Sequence, residues 1–405
     1  MADELLTRTA VRRRIPVALS IAIVYLLARL VTTGMLLAAA ELSGQTSRFG
    51  ANATIGDLAV GWDAQWYWFV AVNGYPTDLP LTDSGLVAEN QWAFMPLFAY
   101  LAAALGALLG SWIAGAVAIS LVSGYLACLV LYRITRMHAD RTTGMWAVAF
   151  LAAAPLAALF QVGYAEALFL LWLFLGLWAV LQRRYAWLYL LVPLMGLTRP
   201  GVLAFALFLG LHGIHRWVAR RREPLLLRHI VHIIAAGILG VIVGFAWQVA
   251  AGIATGDEGA YLATELAWRR PWLRDPSPHF VPFDGFIAGT GLWFDIWGLG
   301  AATGYIVVAL GVLGLAALLL FEPHVRRMGV DLRLWGASYL VYLLAVFFPQ
   351  SSIFRLLIPL SPLWGAVAMP RSTAWRVSVL SACLLGQWWW IYNMYALGNT
   401  FWQIP

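Results

Sequence analysis

About eleven stretches of the chain are apolar over roughly the length of a membrane-spanning helix, and this feature constrains the fold most. A helix needs about 20 such residues to cross a hydrocarbon layer about 30 Å thick. With 62% hydrophobic and 11% charged residues, the 405 residues cannot form a water-soluble surface around one core. We predict an all-α integral membrane protein, a single polytopic domain over residues 1–405 with about eleven spans (roughly ten to thirteen). The predicted spans are near residues 16–40, 112–132, 144–160, 163–181, 186–198, 201–218, 229–251, 296–320, 333–348, 354–370 and 376–392.

The orientation of these spans depends on residues 92–110. This stretch is apolar but rich in Gly and Ala, and it contains Pro96 near its start. If it does not cross the membrane, most arginine clusters lie on the same side as the N-terminus, which is the cytoplasm by the positive-inside rule. We therefore predict a multi-pass protein of the cell membrane with a cytoplasmic N-terminus and an interfacial or re-entrant helix at 92–110. The clusters are near residues 133–141, 183–184, 216–228, 326–333 and 371–376.

Two long loops then lie on the extracytoplasmic side, at residues 41–91 and 252–295, and most acidic residues are on that side. Loops longer than about 15 residues are usually functional or disordered. The density of aromatic residues in both loops argues against disorder. We expect the functional site on this outer side.

The first loop contains the stretch GWDAQWYWFVAVNGYP at residues 61–76, with one acid among many aromatic rings. Helical spacing predicts a short interfacial helix with Asp63 at the edge of its aromatic face. The alternative is a plain aromatic belt with an incidental surface acid. The residues predicted to form the aromatic face are Trp62, Trp66, Phe69 and Val70.

These residues also begin a series of motifs in a fixed order. WDAQWYWFVAVNGY resembles the W-D-A-x-x-[YF]-x-x-I-A-x-x-G-Y stretch of the PIG-V-type mannosyltransferases, the family of the second mannosyltransferase of GPI-anchor assembly. Glu89 with QWAFMPLF, LYRIT at 131–135, PLAALFQVGYAEALF at 155–169 and GLTRPGVL at 196–203 resemble the motifs that follow in that family. The similarity is collinear over about the first 205 residues and weak afterwards, mainly at 351–365. Ala165 and Pro200 depart from the family pattern, where a hydroxyl residue and a serine are usual.

The resemblance implies a glycosyltransferase of the GT-C class that inverts the anomeric centre on the outer face of the membrane. The implied donor is a polyprenyl-phosphate mannose, and the acceptor is a glycan, a glycolipid or a protein. Glucose, galactose or arabinofuranose are alternative donor sugars. No nucleotide-binding glycine loop and no DxD pair of a soluble domain is found in the sequence, so we expect no cofactor, no metal and no nucleic-acid partner.

The chemistry of such a transfer assigns roles to particular residues. An acceptor hydroxyl needs a general base, and a carboxylate can serve. Asp63 is the first candidate and Glu89 the second. The leaving phosphate needs positive charge, which arginine supplies in a geometry that matches phosphate oxygens. The candidates for binding this phosphate are Arg199 and Arg355, at outer span ends, and Arg29, within the first span.

Further residues are candidates for substrate contacts, each with a structural alternative. Glu166 is equally suited to the start of a helix, where a carboxylate is favourable. Arg199 and Arg355 are also typical of arginines that extend to lipid headgroups, and Arg29 is equally suited to be the structural partner of an inward-facing acid. The candidates for substrate binding are Trp62, Gln91, Tyr164, Glu166, His279 and Asp284.

Two other functional classes fit the same hydropathy. A transporter or flippase would place ionisable groups near the membrane midplane, often in two related halves. Here the acids concentrate in the outer loops, and no repeat relates the halves. A non-catalytic scaffold subunit would not require Asp63 and Glu89 within matching motifs. An enzyme is therefore the favoured interpretation.

Overall fold

A computed structural model describes residues 16–273 and 280–398, and within these ranges the protein is all-α, with no β-strand. Leu81 and Val87 form an isolated antiparallel bridge. Short 3₁₀ turns and one π-helix, Tyr392–Leu397, connect or extend the α-helices. The α-helices of the described residues are α1 Val17–Glu41, α2 Ile55–Val60, α3 Asp63–Asn73, α4 Pro96–Leu109, α5 Trp112–Arg136, α6 Arg141–Ala152, α7 Glu166–Leu181, α8 Leu188–Thr198, α9 Val202–Val218, α10 Leu227–Thr255, α11 Ala260–Ala267, α12 Asp284–Ile296, α13 Ala301–Phe321, α14 Pro323–Arg327, α15 Val330–Val346, α16 Ile353–Leu356, α17 Trp364–Val367 and α18 Thr373–Ile391.

Five of the described helices are long and apolar enough to cross a membrane: α1, α5, α9 with its following turn, α10 and α13. The predicted count of eleven spans is not confirmed, although each predicted span contains helix. The predicted span 144–160 ends as α6 at Ala152, shortly before Pro155. The predicted span 354–370 is broken into α16, a 3₁₀ turn and α17, and that turn contains Pro359 and Pro362. A proline interrupts a helix because it lacks the backbone N–H and clashes with the preceding turn.

Helix α4 is the stretch on which the predicted orientation depends. Its 14 residues rise only about 21 Å at 1.5 Å per residue. It begins at Pro96 and ends at Gly110, whose φ of 89° suits a glycine. It packs closely on α5, because a Cβ on Gly115 would lie 2.3 Å from the carbonyl oxygen of Ala102. Helices α6 and α8, which belong to predicted spans, are shorter still, so the predicted interfacial or re-entrant position of α4 stays a prediction.

The segment that contains Asp63 forms two short helices. Thr54 caps α2 through a capping box with Asp57. Helix α3 begins at Asp63 and buries Ala64, Tyr67 and Val70. The predicted aromatic face therefore differs from the observed one. Trp62 precedes the helix, and the ring of Trp66 stacks on the ring of Phe94 with 5.6 Å between the ring centres.

The main core lies between α5, α6, α7, α8, α9 and α15. Helix α7 is the centre of this core, since twelve of its sixteen residues are buried. Helices α7 and α8 run between the same two ends of the molecule: Glu166 begins α7 where Arg199 ends α8. Residues at the remaining end of each helix, Arg183 and Tyr185, are also neighbours. The two ends of this pair of helices carry the two polar regions described below.

Candidate active site

A cavity of about 440 Å³ opens between α3, α8, α10, α11 and α15. This volume is in the range of about 300–1,000 Å³ that is typical of small-molecule sites. Aromatic and aliphatic side chains form most of its wall. Charged side chains reach it from separate parts of the chain: Asp63, Glu166, Arg199, Glu265, Arg269 and Arg355.

Asp63 is paired with Arg355 at one end of the cavity. Nη1 of Arg355 donates a hydrogen bond to Oδ2 of Asp63, although the two residues are 292 positions apart. Both side chains are mostly buried, with 22% of Asp63 and 11% of Arg355 exposed. The guanidinium carbon of Arg355 also lies 5.5 Å from the ring centre of Tyr164, a distance at which a cation is attracted to the ring face.

Glu166 joins the second arginine to the same group. Its Oε1 accepts a hydrogen bond from Arg199, and it lies 3.5 Å from Nε of Arg355. The carboxylate is 3% exposed and begins α7, where the helix dipole favours negative charge. Its second oxygen, Oε2, accepts no hydrogen bond from any described residue. We call Asp63, Glu166, Arg199 and Arg355 the ionic cluster, and its two acids balance its two arginines.

Local sequence positions the members of the cluster. Pro200 ends α8 and restricts the preceding residue to extended backbone, which Arg199 adopts with φ −155° and ψ 154°. Gly201 follows with φ 132°, in the left-handed half of the map that glycine tolerates. The Arg-Pro-Gly sequence therefore turns the chain sharply from α8 to α9 and leaves Arg199 beside the start of α7.

Trp62 has a strained backbone next to Asp63. Its φ of 55° and ψ of −125° lie in a region that is rare for residues other than glycine. Surrounding contacts hold it there: Nε1 donates to the carbonyl oxygen of Met394 at 2.9 Å, and Arg48 lies 4.6 Å from the ring centre. The backbone N–H of Asp63 donates to the Tyr164 hydroxyl at 3.2 Å. These contacts fix the start of α3, and with it the direction of the Asp63 side chain.

Glu265 is a carboxylate in the cavity wall that the sequence did not single out. It lies on α11, one turn after Tyr261 and close to Tyr342 of α15, and all three line the cavity. Burial raises the pKa of Glu265 to about 7, while a hydrogen bond with Tyr261 acts in the opposite direction. A signal was present in the sequence, because Tyr261, Glu265 and Trp268 share one face of a short helix.

The remaining candidates lie apart from the ionic cluster. Arg29 donates to the carbonyl oxygens of Ala152 and Ala157 and does not line the cavity. It thus satisfies the carbonyl of Ala152 at the end of α6, where a helix leaves carbonyls unpaired, and the carbonyl of Ala157 in the 3₁₀ turn that follows. Among the described residues Arg29 is thus bound to backbone carbonyls and forms no ion pair with an inward-facing acid, which is the structural alternative that the sequence left open.

The motif at 89–98 contains two candidates, Glu89 and Gln91, but the residues of this motif that reach the cavity are different ones. Glu89 is exposed, Gln91 is partly buried, and neither lines the cavity. Ala93, Phe94 and Met95 do line it. The motif is anchored to α11, since Nδ2 of Asn90 donates to Oγ1 of Thr264 at 2.8 Å.

Two candidates belong to the second long loop. Asp284 begins α12 and is not among the residues that line the cavity, but its charge acts on Arg269, which does line it. His279 lies outside the described residues. Among those that are described, no group of three or more His, Cys, Asp or Glu side chains is arranged to hold a metal ion.

Comparison with known proteins finds similar solved structures but no matching family model and no matching curated protein. A crystal structure of the Archaeoglobus fulgidus oligosaccharyltransferase with zinc and sulfate is 13% identical, with a TM-score of 0.47, and the match covers 91% of this chain and 54% of that one. The archaeal oligosaccharyltransferase AglB from the same organism, in complex with an inhibitory peptide and a dolichol-phosphate, is 14% identical with a TM-score of 0.47, and 92% and 56% are covered. The chain thus spans about half the length of these proteins.

Proposed function

We propose that the protein is an inverting membrane glycosyltransferase of GT-C type, similar to the PIG-V mannosyltransferases. It moves a mannosyl residue from a polyprenyl phosphate to a hydroxyl group of a glycan, glycolipid or protein acceptor. The observation that carries this proposal is the ionic cluster, which puts a candidate base and two arginines at one end of a cavity of about 440 Å³. A base and a phosphate-binding group are what this transfer requires.

Arg199 and Arg355 bind the donor phosphate in this proposal. Two guanidinium groups on one anion match the charge of a lipid phosphate as the sugar leaves. Both now pair with carboxylates, so an arriving phosphate competes with Glu166 and Asp63 for them. Binding of the donor therefore draws Arg355 from Asp63 and makes the Asp63 carboxylate available to the acceptor.

Asp63 is the general base. The acceptor hydroxyl gives its proton to the Asp63 carboxylate, and the acceptor oxygen bonds to the anomeric carbon from the face opposite the phosphate. The bond between that carbon and the phosphate oxygen breaks, and the polyprenyl phosphate leaves with the electron pair. Glu166 orients Arg199 and Arg355, and its Oε2, which has no hydrogen-bond partner among the described residues, accepts a hydrogen bond from a sugar hydroxyl. A single displacement inverts the anomeric centre.

The orientation in the membrane belongs to the same proposal. The cavity faces the extracytoplasmic side, where the loops at 41–91 and 252–295 meet around it, and the N-terminus is cytoplasmic. Phe94, Trp247 and Trp268 in the cavity wall provide flat apolar surfaces for the carbon face of a sugar ring. Glu265 faces the same space and contacts the acceptor or the sugar.

A transfer assay with the purified protein tests the proposal. Radiolabelled polyprenyl-phosphate mannose is incubated with the protein in lipid nanodiscs and a membrane extract, and the labelled product is identified. We expect transfer by the wild type and a loss of at least about 100-fold in Asp63→Asn, which keeps the shape but removes the basicity. Asp83→Asn, an exposed acid of the same loop, is the matched control and keeps full activity.

Two results would contradict the assignment. Near-wild-type turnover in Asp63→Asn together with a loss of turnover in Glu89→Gln would assign the role of general base to Glu89. Movement of the intact labelled lipid across the bilayer, without any product in which the sugar has changed its carrier, would favour a flippase. Donor binding is measured separately for each variant, so that a loss of turnover is distinguished from a loss of affinity.

A further inference from the structure

A second polar region lies at the opposite end of α7 and α8 from the ionic cluster. It is a groove of about 320 Å³ lined by Arg183, Arg184, Tyr185, Ala186, Trp187, Arg228, His229 and His232. We call it the basic groove. Helix α7 has sixteen residues, so it is about 24 Å long at 1.5 Å per residue. This is the approximate distance between the basic groove and the ionic cluster. The groove is therefore too far from the cavity to take part in the same reaction.

The positive charge of the groove is not balanced by nearby acids. Arg183 pairs with Glu223 at 2.6 Å, and Arg216 binds the same carboxylate, so that one acid serves two arginines. Arg184 and Arg228 form no ion pair with a described residue, and none of the described acids lines the groove. Like charges held close together repel each other, so this arrangement favours an anion between them.

The backbone at Arg183 is a second observation. Its φ is 57°, in the left-handed region at the end of α7 where a glycine is usual. The backbone bonds of this turn, from Arg183 to Val180 and from Arg184 to Ala179, would form equally well with glycine. An arginine at this position strains the backbone. Its side chain adds a third guanidinium to the lining of the groove.

The surface that continues from the groove is apolar and suits lipid chains. Tyr189 of α8 is bound to His232 of α10 at 2.9 Å and closes the space between these helices. On the same two helices, Leu190, Val231 and Ile234 are neighbours of this pair in sequence and are each more than half exposed. Trp187 at the rim is 58% exposed, and tryptophan is typical of the level of the lipid headgroups.

We propose that the basic groove binds the phosphate of an anionic lipid headgroup on the membrane surface opposite the cavity. Arg184 and Arg228 bind the phosphate oxygens, and the lipid chains follow the exposed apolar side chains of α8 and α10. Basic pockets between membrane helices are suited to such headgroups. The proposal does not depend on the transferred sugar or on any role of the ionic cluster.

Native mass spectrometry of the full chain in detergent tests this. Phosphatidylglycerol and phosphatidylcholine of equal chain length are titrated into the wild type, into Arg184→Gln/Arg228→Gln and into Arg221→Gln/Arg222→Gln. The last variant removes two exposed arginines of the α9–α10 connection that do not line the groove. We expect the wild type to retain phosphatidylglycerol over phosphatidylcholine and the groove variant to lose at least about tenfold in affinity, with the control variant unchanged.

Several outcomes would overturn the proposal. Equal losses in both double variants would mean that only net charge matters, and equal retention of the two lipids would mean that no headgroup is selected. Displacement of phosphatidylglycerol by millimolar inorganic phosphate would assign the groove to a soluble phosphate instead of a lipid. Melting temperatures of the variants confirm that each is folded, and the exposed positions of all four arginines favour this.

Discussion

The two ends of α7 use arginine in opposite ways. At the cavity, Arg199 and Arg355 are mostly buried, and each has a carboxylate partner in Glu166 and Asp63. At the basic groove, Arg184 and Arg228 are exposed and have no carboxylate partner among the described residues. The difference follows from desolvation, since a buried charge is very costly unless it is paired, whereas water can solvate an unpaired one.

The comparison also separates two kinds of function. A balanced cluster can exchange partners when a charged substrate arrives, because each arginine already has an anion that the substrate replaces. An unbalanced groove can only gain an anion. We therefore expect removal of a charge to have different consequences at the two ends, and the following predictions test this from the largest expected effect to the smallest.

Arg199→Ala should lower the free energy of unfolding by about 3 kcal/mol, because it leaves the buried Glu166 without its main partner. Arg355 remains 3.5 Å away and limits the loss. Arg184→Ala should change stability by less than about 0.5 kcal/mol, as is usual for exposed residues. Reversible denaturation in detergent measures both.

A double variant gives the control for this first prediction. Arg199→Ala/Glu166→Ala removes both charges and should recover part of the stability lost in Arg199→Ala, since no carboxylate is left buried alone. Equal losses in Arg199→Ala and Arg184→Ala would remove the distinction between the two ends.

Glu265 is an acid of the cavity that has no guanidinium partner among the described residues, and it should make stability depend on pH. Its pKa is raised to about 7 in the folded protein from 4.5. The stabilising contribution of the protonated carboxyl is full below about pH 4.5 and is lost as the pH rises through about 7, about 3 kcal/mol in total for a pKa raised by about 2.5. The hydroxyls of Tyr261 and Tyr342 are the titratable groups beside it, and neither ionises in this range.

Melting temperatures between pH 4.5 and 8 measure this dependence. Glu265→Gln should remove most of the decline with rising pH, while Glu258→Gln, an exposed acid nearby on the same loop, should leave it unchanged. The same slope in wild type and Glu265→Gln would show that another group controls it. A flat profile in the wild type would show that Glu265 is solvated.

The smallest effect is expected at Arg183. Arg183→Gly relieves the left-handed backbone strain, worth about 1 kcal/mol, and loses an exposed ion pair with Glu223 that is worth about 0–1 kcal/mol. These changes nearly cancel, so stability should stay within about 0.5 kcal/mol of the wild type. Arg183→Ala loses the pair without relief of the strain and should be the less stable of the two. The reverse order of melting temperatures would contradict this account.

Much of the helical structure could be predicted from sequence, because it depends on local patterns. Apolar stretches long enough for a span indicated α1, α5, α10 and α13 within a few residues, and backbone groups must pair within a helix in an apolar environment. The breaks were missed. Pro359 and Pro362 divide one predicted span, although proline is itself a local signal, and the hydropathy of the stretch outweighed it in the prediction.

The candidate site shows the same division between local and remote information. The sequence singled out Asp63, Glu166, Arg199 and Arg355 one by one, since each is a charged residue in a matching motif or at the end of an apolar stretch. It did not predict that Asp63 pairs with Arg355, 292 positions away. It also missed Glu265, whose environment is created by Tyr342 from a different helix.

The sequence alone determined that the chain is helical and apolar, that its acids concentrate in two loops, and that Asp63 lies among aromatic rings, because composition and spacing act over short distances. Only the tertiary structure decided which charges meet. A buried charge is tolerated only beside a partner, and the packing of α3, α7, α8 and α16 supplies such partners at the cavity. At the exposed end of α7 and α8, where water solvates the charge, Arg184 and Arg228 have no carboxylate partner in the part of the chain that the structure describes.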